Sequence, residues 1–140
     1  MNQRGFATLE VILMVMVIGI LASIAVPRFT NITAAANTAK IQSDLATIDT
    51  AIAVYKMEKG TTPAITDLGN YFQGGTVPKP PTGKYFLEGT LSTAELTNSD
   101  NYGIGMDSTG DTRAVLNGST SDKFYTHPKT GTGTTPASTT

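Results

Sequence analysis

The sequence predicts an α+β fold in which one long N-terminal helix, apolar in its first half and amphipathic in its second, packs on a small antiparallel β-sheet. Three observations predict it. Residues 6–26 form an apolar run with a single charge, Glu10. Further on, Ile41, Leu45, Ile48, Ile52 and Tyr55 recur at spacings of 4, 3, 4 and 3, which is one stripe of a helix. Beyond Gly60, short segments with strand character alternate with Gly, Asn, Asp and Ser.

The elements follow in chain order. Residues 1–5, MNQRG, read as a polar leader with one positive charge at Arg4. Residues 6–26 are 21 in number, and at about 1.5 Å rise per residue they suffice to cross a bilayer core of roughly 30 Å. Pro27 then removes one backbone hydrogen bond and is expected to kink or loosen the helix. Residues 27–59 form the amphipathic half, with Ile32, Ala36 and Ala39 extending the stripe backwards. Lys56 and Lys59 complement the dipole in the last turn, Gly60 suits a left-handed cap, and Pro63 closes the element. The expectation is one helix from about Phe6 to Lys59, 54 residues and ~80 Å long.

Residues 60–127 read as a C-terminal β domain. It opens with an irregular loop and a short turn of helix around Thr66–Phe72. Candidate strands follow at Lys84–Glu88, Tyr102–Met106, Arg113–Asn117 and Lys123–Thr126, three or four of which would make one small sheet covering the helix stripe. The tail 128–140, PKTGTGTTPASTT, is low in complexity and is expected to be disordered.

Composition excludes several functions. The formal charge is −1 and no Lys or Arg cluster occurs, which argues against a basic nucleic-acid module. The absence of Cys removes disulfides, thiolate metal sites and Cys nucleophiles. The single His127, before Pro128, excludes a metal site built on several histidines and reads as an exposed residue. A membrane-anchored hydrolase lacks parts as well, since there is no Gly-x-Ser-x-Gly elbow and no nucleophile–base pair. The chain is not expected to be an enzyme.

Glu10 is the residue that asks for an explanation. A charge at the centre of a membrane helix costs roughly 2.5–3.5 kcal/mol on insertion scales. The stretch Gly5-Phe6-Ala7-Thr8-Leu9-Glu10, ahead of an apolar run of spanning length, resembles the N-terminus of type IV pilins and type II secretion pseudopilins. Members usually run Gly-Phe-Thr-Leu-Ile-Glu; here the threonine is displaced by one residue, while Glu10 keeps its register. The match is strongest over residues 4–29, including Pro27, and looser beyond.

That resemblance implies a type IV pilin-like fold and a structural function. A prepilin peptidase would cut between Gly5 and Phe6 and the new amine of Phe6 would be N-methylated. The subunit would wait as a single-pass protein of the inner, cytoplasmic membrane. An assembly ATPase and its membrane platform would then draw it into a helical filament that stands extracellular or periplasmic. Glu10 would meet the Phe6 amine of a neighbouring subunit and set the register. Independently, Gly5 offers a protease minimal bulk, and a buried ammonium–carboxylate pair is costly unpaired and tolerable paired.

Two versions of the filament are open: a surface pilus for adhesion, motility or DNA uptake, or a secretion pseudopilus driving protein export. The Thr-rich tail suits the first. The segments Tyr55–Pro63 and Val77–Tyr85 are similar to the region after the long helix in major pseudopilins. Such pseudopilins often hold calcium in C-terminal loops, and Asp107 and Asp111, with Asp100 as a third, offer oxygens for it; a hairpin turn explains Asp and Gly there equally well. No other cofactor and no small-molecule substrate is implied. Asn31-Ile-Thr33 and Asn117-Gly-Ser119 match glycosylation sequons, a short and common pattern. The competing reading is an exported module with an ordinary signal peptide cleaved after Ser23-Ile24-Ala25, leaving Val26 at the mature N-terminus. The length of the apolar run and Glu10 within it speak against this.

Overall fold

A computed structural model describes residues 3–127. The expected disorder of the tail 128–140 therefore lies outside the described residues, as do Met1 and Asn2. One helix, α1 (Gln3–Lys59, 57 residues), begins three residues earlier than expected and ends where Lys59 and Gly60 predict. Gly60 has φ 70° and its N–H closes the helix on the Lys56 carbonyl at 2.9 Å. The helical backbone runs through position 27. The side chains of residues 25–28, and with them Pro27, lie outside the description.

The chain divides into two compact units, after Thr33. In the first, the most apolar window of the helix is 0% buried. Leu13, Ile18 and Leu21 all stand more than half exposed.

The second unit begins at Ala34 and has one core. Ile41, Leu45, Ile48, Ala51 and Ile52 of α1 are buried there with Leu68, Tyr85, Leu96, Tyr102, Ala114, Leu116 and Phe124. Tyr55 packs at its margin, edge-on to Tyr71 with ring centroids 5.9 Å apart. The stripe inferred from spacing is thus the helix's contribution to the core. Ile32, expected to extend the stripe, is 65% exposed, and burial starts at Ala34.

The β structure departs from the single sheet expected. It consists of two separate antiparallel hairpins, β1 (Phe86–Leu87) with β2 (Thr90–Leu91) and β3 (Gly103–Met106) with β4 (Thr112–Val115). Thr90–Leu91 was not foreseen as a strand. Glu88 (φ 50°) and Gly89 (φ 79°) are both left-handed and make the two-residue turn that reverses the chain there. Conversely, Lys123–Thr126 is not a strand. Ser121–Lys123 is a 3-10 turn, and the carbonyls of Lys123 and Tyr125 are taken by the N–H groups of Glu88 and Gly89 at 2.7 and 3.0 Å. With those acceptors spent on the β1–β2 turn, the segment has no ladder to join. It instead inserts Phe124, 1% exposed, against Tyr85. The short helical turn expected around residues 66–72 is a 3-10 helix, Ile65–Tyr71.

Candidate functional site

The N-terminal part of α1 carries the residues singled out by the sequence. Gly5, Phe6 and Glu10 all lie on it and are exposed, Phe6 by 77%. A Cβ added at Gly5 meets no atom within 4 Å, so the packing of the chain does not require glycine there. Thr8, displaced from the usual motif, donates its hydroxyl to the Arg4 carbonyl at 2.9 Å. That back-bond within the helix occupies a hydroxyl that would otherwise face an apolar surrounding unpaired.

From Leu9 to Ile24 the helix presents large apolar side chains on all sides: Val11, Ile12, Leu13, Met14, Val15 and Met16 are each more than half exposed. An α-helix satisfies its own backbone groups, so such a surface suits lipid or other helices of the same kind. Each large apolar side chain moved from water to that setting gains about 1.5–3 kcal/mol. Such a surface can associate laterally, and Glu10 is the charged residue that lies within it.

The second half of α1 carries a polar set that sequence reasoning missed. Asn37 donates its side-chain amide to the carbonyls of Thr82 (3.0 Å) and Lys84 (2.9 Å). The buried Thr38 hydroxyl accepts the Phe86 N–H at 2.7 Å while donating to the Ala34 carbonyl. Asp44 accepts from Lys40 at 2.5 Å and from the Tyr102 hydroxyl at 2.8 Å. Burial first, and then that carboxylate, push the Tyr102 phenol far above its ordinary range. Asp49 accepts Nε and Nη2 of Arg113 and, through its other oxygen, the Ala114 N–H at 2.7 Å. Glu58 accepts the Tyr71 hydroxyl at 2.5 Å, which raises that phenol to about 12. These bonds fix which residues of the loops and hairpins face which turn of the helix. The one signal in the sequence was polar residues flanking an apolar stripe, and nothing local says that Asp49 pairs with a residue 64 positions away.

Asp100, Asp107 and Asp111 are not brought together as a calcium site. Among the described residues no three carboxylates or imidazoles gather at metal-binding spacing. Asp107 caps the β3–β4 turn: one oxygen accepts the Thr109 N–H (2.9 Å), the Thr109 hydroxyl (2.6 Å) and the Asp111 N–H (2.9 Å). The Thr109 hydroxyl bond, with the backbone donors behind it, holds its carboxyl below the usual range. Asp100 accepts the N–H and hydroxyl of Thr97 and is lowered for the same reason. Both carboxylates close turns, and these donor sets do not fit a calcium ion that needs six to eight oxygens of its own.

A long helix with an exposed apolar stretch in its first part and a buried stripe in its second, followed by two small antiparallel hairpins, has the α+β architecture of a pilin-like fold. Among curated proteins, type II secretion system core protein G of Klebsiella pneumoniae is 28% identical over 76% of this chain and 86% of its own length. Its counterpart in Vibrio cholerae is 30% identical over 76% of this chain and 82% of its length. The type IV narrow pilus major component PilA5 of Thermus thermophilus is 32% identical over 54% of this chain and 66% of its length. The chain belongs to the type IV pilin and type II secretion pseudopilin family. No protein-family model and no solved structure matches it.

Proposed function

We propose that this chain is a structural subunit of a type IV pilus-like filament, assembled through its N-terminal helix for adhesion, motility or DNA uptake. The observation that carries the reading is the bare apolar stretch of α1 with Glu10 inside it. Cleavage between Gly5 and Phe6 by a prepilin peptidase removes Arg4 and exposes an ammonium about one helical turn before Glu10, at roughly 3.6 residues per turn. Methylation of Phe6 keeps that charge. An assembly ATPase and its platform lift the subunit from the inner membrane, where α1 spans once, into the filament. In the low-dielectric filament core the Glu10 carboxylate is stable only opposite a neighbour's Phe6 ammonium, so the pair selects one stagger between subunits.

The test is a strain whose only subunit carries Glu10→Leu. The protein is expected to be processed, with Phe6 at its N-terminus by mass spectrometry, and to remain in the membrane while no filaments form. Normal filaments from that strain would sink the register role, and a mature N-terminus at Val26 would sink the whole reading in favour of simple export.

A second reading is favoured by coverage: relatives matching 76% of the chain are type II secretion core proteins, whereas the pilus relative matches 54%. On it the filament is a secretion pseudopilus and the subunit its major component. Deleting the gene then abolishes release of an exported protein and leaves surface pili intact.

A further inference from the structure

We propose that the guanidinium of Arg113 is a built-in cation that ties α1 to the β3–β4 hairpin, so that the C-terminal domain folds and keeps its stability without calcium. Two carboxylates from distant segments converge on it. Asp49 of α1 receives Nε at 2.9 Å and Nη2 at 2.8 Å, and Oδ2 of Asp107, at the end of β3, lies 3.9 Å from Nη1. A planar fork of this kind matches a carboxylate better than a point charge does.

The other oxygen of each carboxylate is engaged as well. The other oxygen of Asp49 holds the Ala114 N–H, and the other oxygen of Asp107 holds three donors of its turn. A divalent ion placed between Asp49 and Asp107 would have to displace the guanidinium, and against it like charge repels. The charges facing the guanidinium from the neighbouring elements are Asp49, Asp107 and Asp122. The space between Asp49 and Asp107 is therefore taken by a cationic side chain of the protein itself. This inference stands apart from the filament reading, because neither measurement below involves assembly.

The test uses the full chain in detergent. Its unfolding is followed by near-ultraviolet dichroism of the five tyrosines, all of which lie between residues 55 and 125. Calcium chloride is titrated calorimetrically into the same protein. Wild type is expected to unfold at one midpoint in excess calcium and in excess EGTA, and to show no saturable calcium binding. Arg113→Gln lowers the midpoint by about 5–10 °C in EGTA, and Arg113→Lys recovers only part of the loss. A calcium-dependent rise in the wild-type midpoint, saturable binding of one calcium ion, or an unshifted Arg113→Gln midpoint each overturns the proposal. If Arg113→Gln does not fold, the Asp107→Asn variant takes its place, with a smaller drop expected and an unchanged midpoint again contrary; the wild-type titration stands on its own.

Discussion

The two halves of α1 are made of the same backbone and obey opposite rules. In the half before Ala34 every large apolar side chain described is exposed, Phe29 by 66% and Ile32 by 65%. In the half after it, Ile41, Leu45 and Ile48 are fully buried. The first half carries an apolar run with one charge, Glu10, over residues 6–26; the second keeps its apolar groups on one stripe and flanks them with Asn37, Thr38, Asp44 and Asp49, each bonded to a loop or strand. The difference teaches that hydrophobicity alone does not specify a fold here. The stripe is read by the chain's own hairpins because polar neighbours fix where each hairpin sits, whereas the apolar run of residues 6–26 carries one carboxylate and no such flanking set.

The sharpest way to break this contrast is to delete the same side chain from each half. Leu45→Ala is expected to cost about 2–5 kcal/mol, because it removes buried methyl groups and leaves a cavity. Leu13→Ala is expected to leave the stability of the C-terminal domain unchanged. Thermal unfolding of the full chain in detergent, followed through its tyrosines, reads only the second half, since no tyrosine precedes Tyr55. Equal losses from the two variants would show that the halves are one cooperative unit.

A finer pair tests the polar ties. Thr33 and Thr38 both donate a hydroxyl to the carbonyl four residues back, at 3.0 and 2.7 Å, but only Thr38 also accepts a strand N–H, that of Phe86. Replacing each with valine keeps the shape and removes the oxygen. Thr38→Val strands a part-buried N–H and is expected to destabilise by about 1–3 kcal/mol, while Thr33→Val has no effect on the same unfolding curve. Equal behaviour would mean that the tie to Phe86 does not hold β1 to the helix.

These pairs also mark how far the fold could be read from the sequence. The apolar run, the stripe and the helix end at Lys59 were legible because periodicity and capping are local signals, extending over a few turns. The hairpins were half legible. Strands of two residues have no period to detect, so Thr90–Leu91 was passed over, and the Glu88-Gly89 turn was the only mark it left. Lys123–Thr126 had strand-like composition, but its carbonyls are committed to another turn, a pairing made 35 residues away in the chain for Lys123 and Glu88. Of the candidate site, Gly5, Phe6 and Glu10 stood out because a charge and a glycine are conspicuous against an apolar run. The Asp49–Arg113 tie was not conspicuous, because a carboxylate on a helix flank looks solvated until its partner is known.

Titration sharpens the contrast at acid pH. The Asp107 carboxyl is held low by the donors of its turn, Thr109 first. A carboxylate with a depressed folded pKa adds stability that is present above its unfolded value, near 3.8, and lost as pH falls through the lower folded value. The β3–β4 turn should therefore loosen only below about pH 4, seen as a drop in the tyrosine unfolding midpoint that Asp107→Asn flattens. A wild-type midpoint as flat as the variant's through that range would remove the turn's claim on this charge.

The smallest effect lies at the other end of the scale, where Glu58 near the end of α1 meets Tyr71. The hydrogen bond to Glu58 is the main cause that raises the Tyr71 phenol to about 12. A group raised in the folded state stabilises fully below its unfolded pKa, near 10, and loses that contribution as pH rises through the folded value. The window for this tie is thus pH 10 to 12, and in it Tyr71 should still be largely protonated, as should Tyr102, whose phenol is raised further. Absorbance at the tyrosinate band, titrated upward, should show a late step that Glu58→Gln moves back toward the ordinary range while leaving the Tyr102 step, which answers to Asp44 and burial, in place. A late Tyr71 step that survives Glu58→Gln would mean that the last turn of α1 is fastened by the Tyr55–Tyr71 ring contact instead, and that the polar ties of the second half end at Asp49.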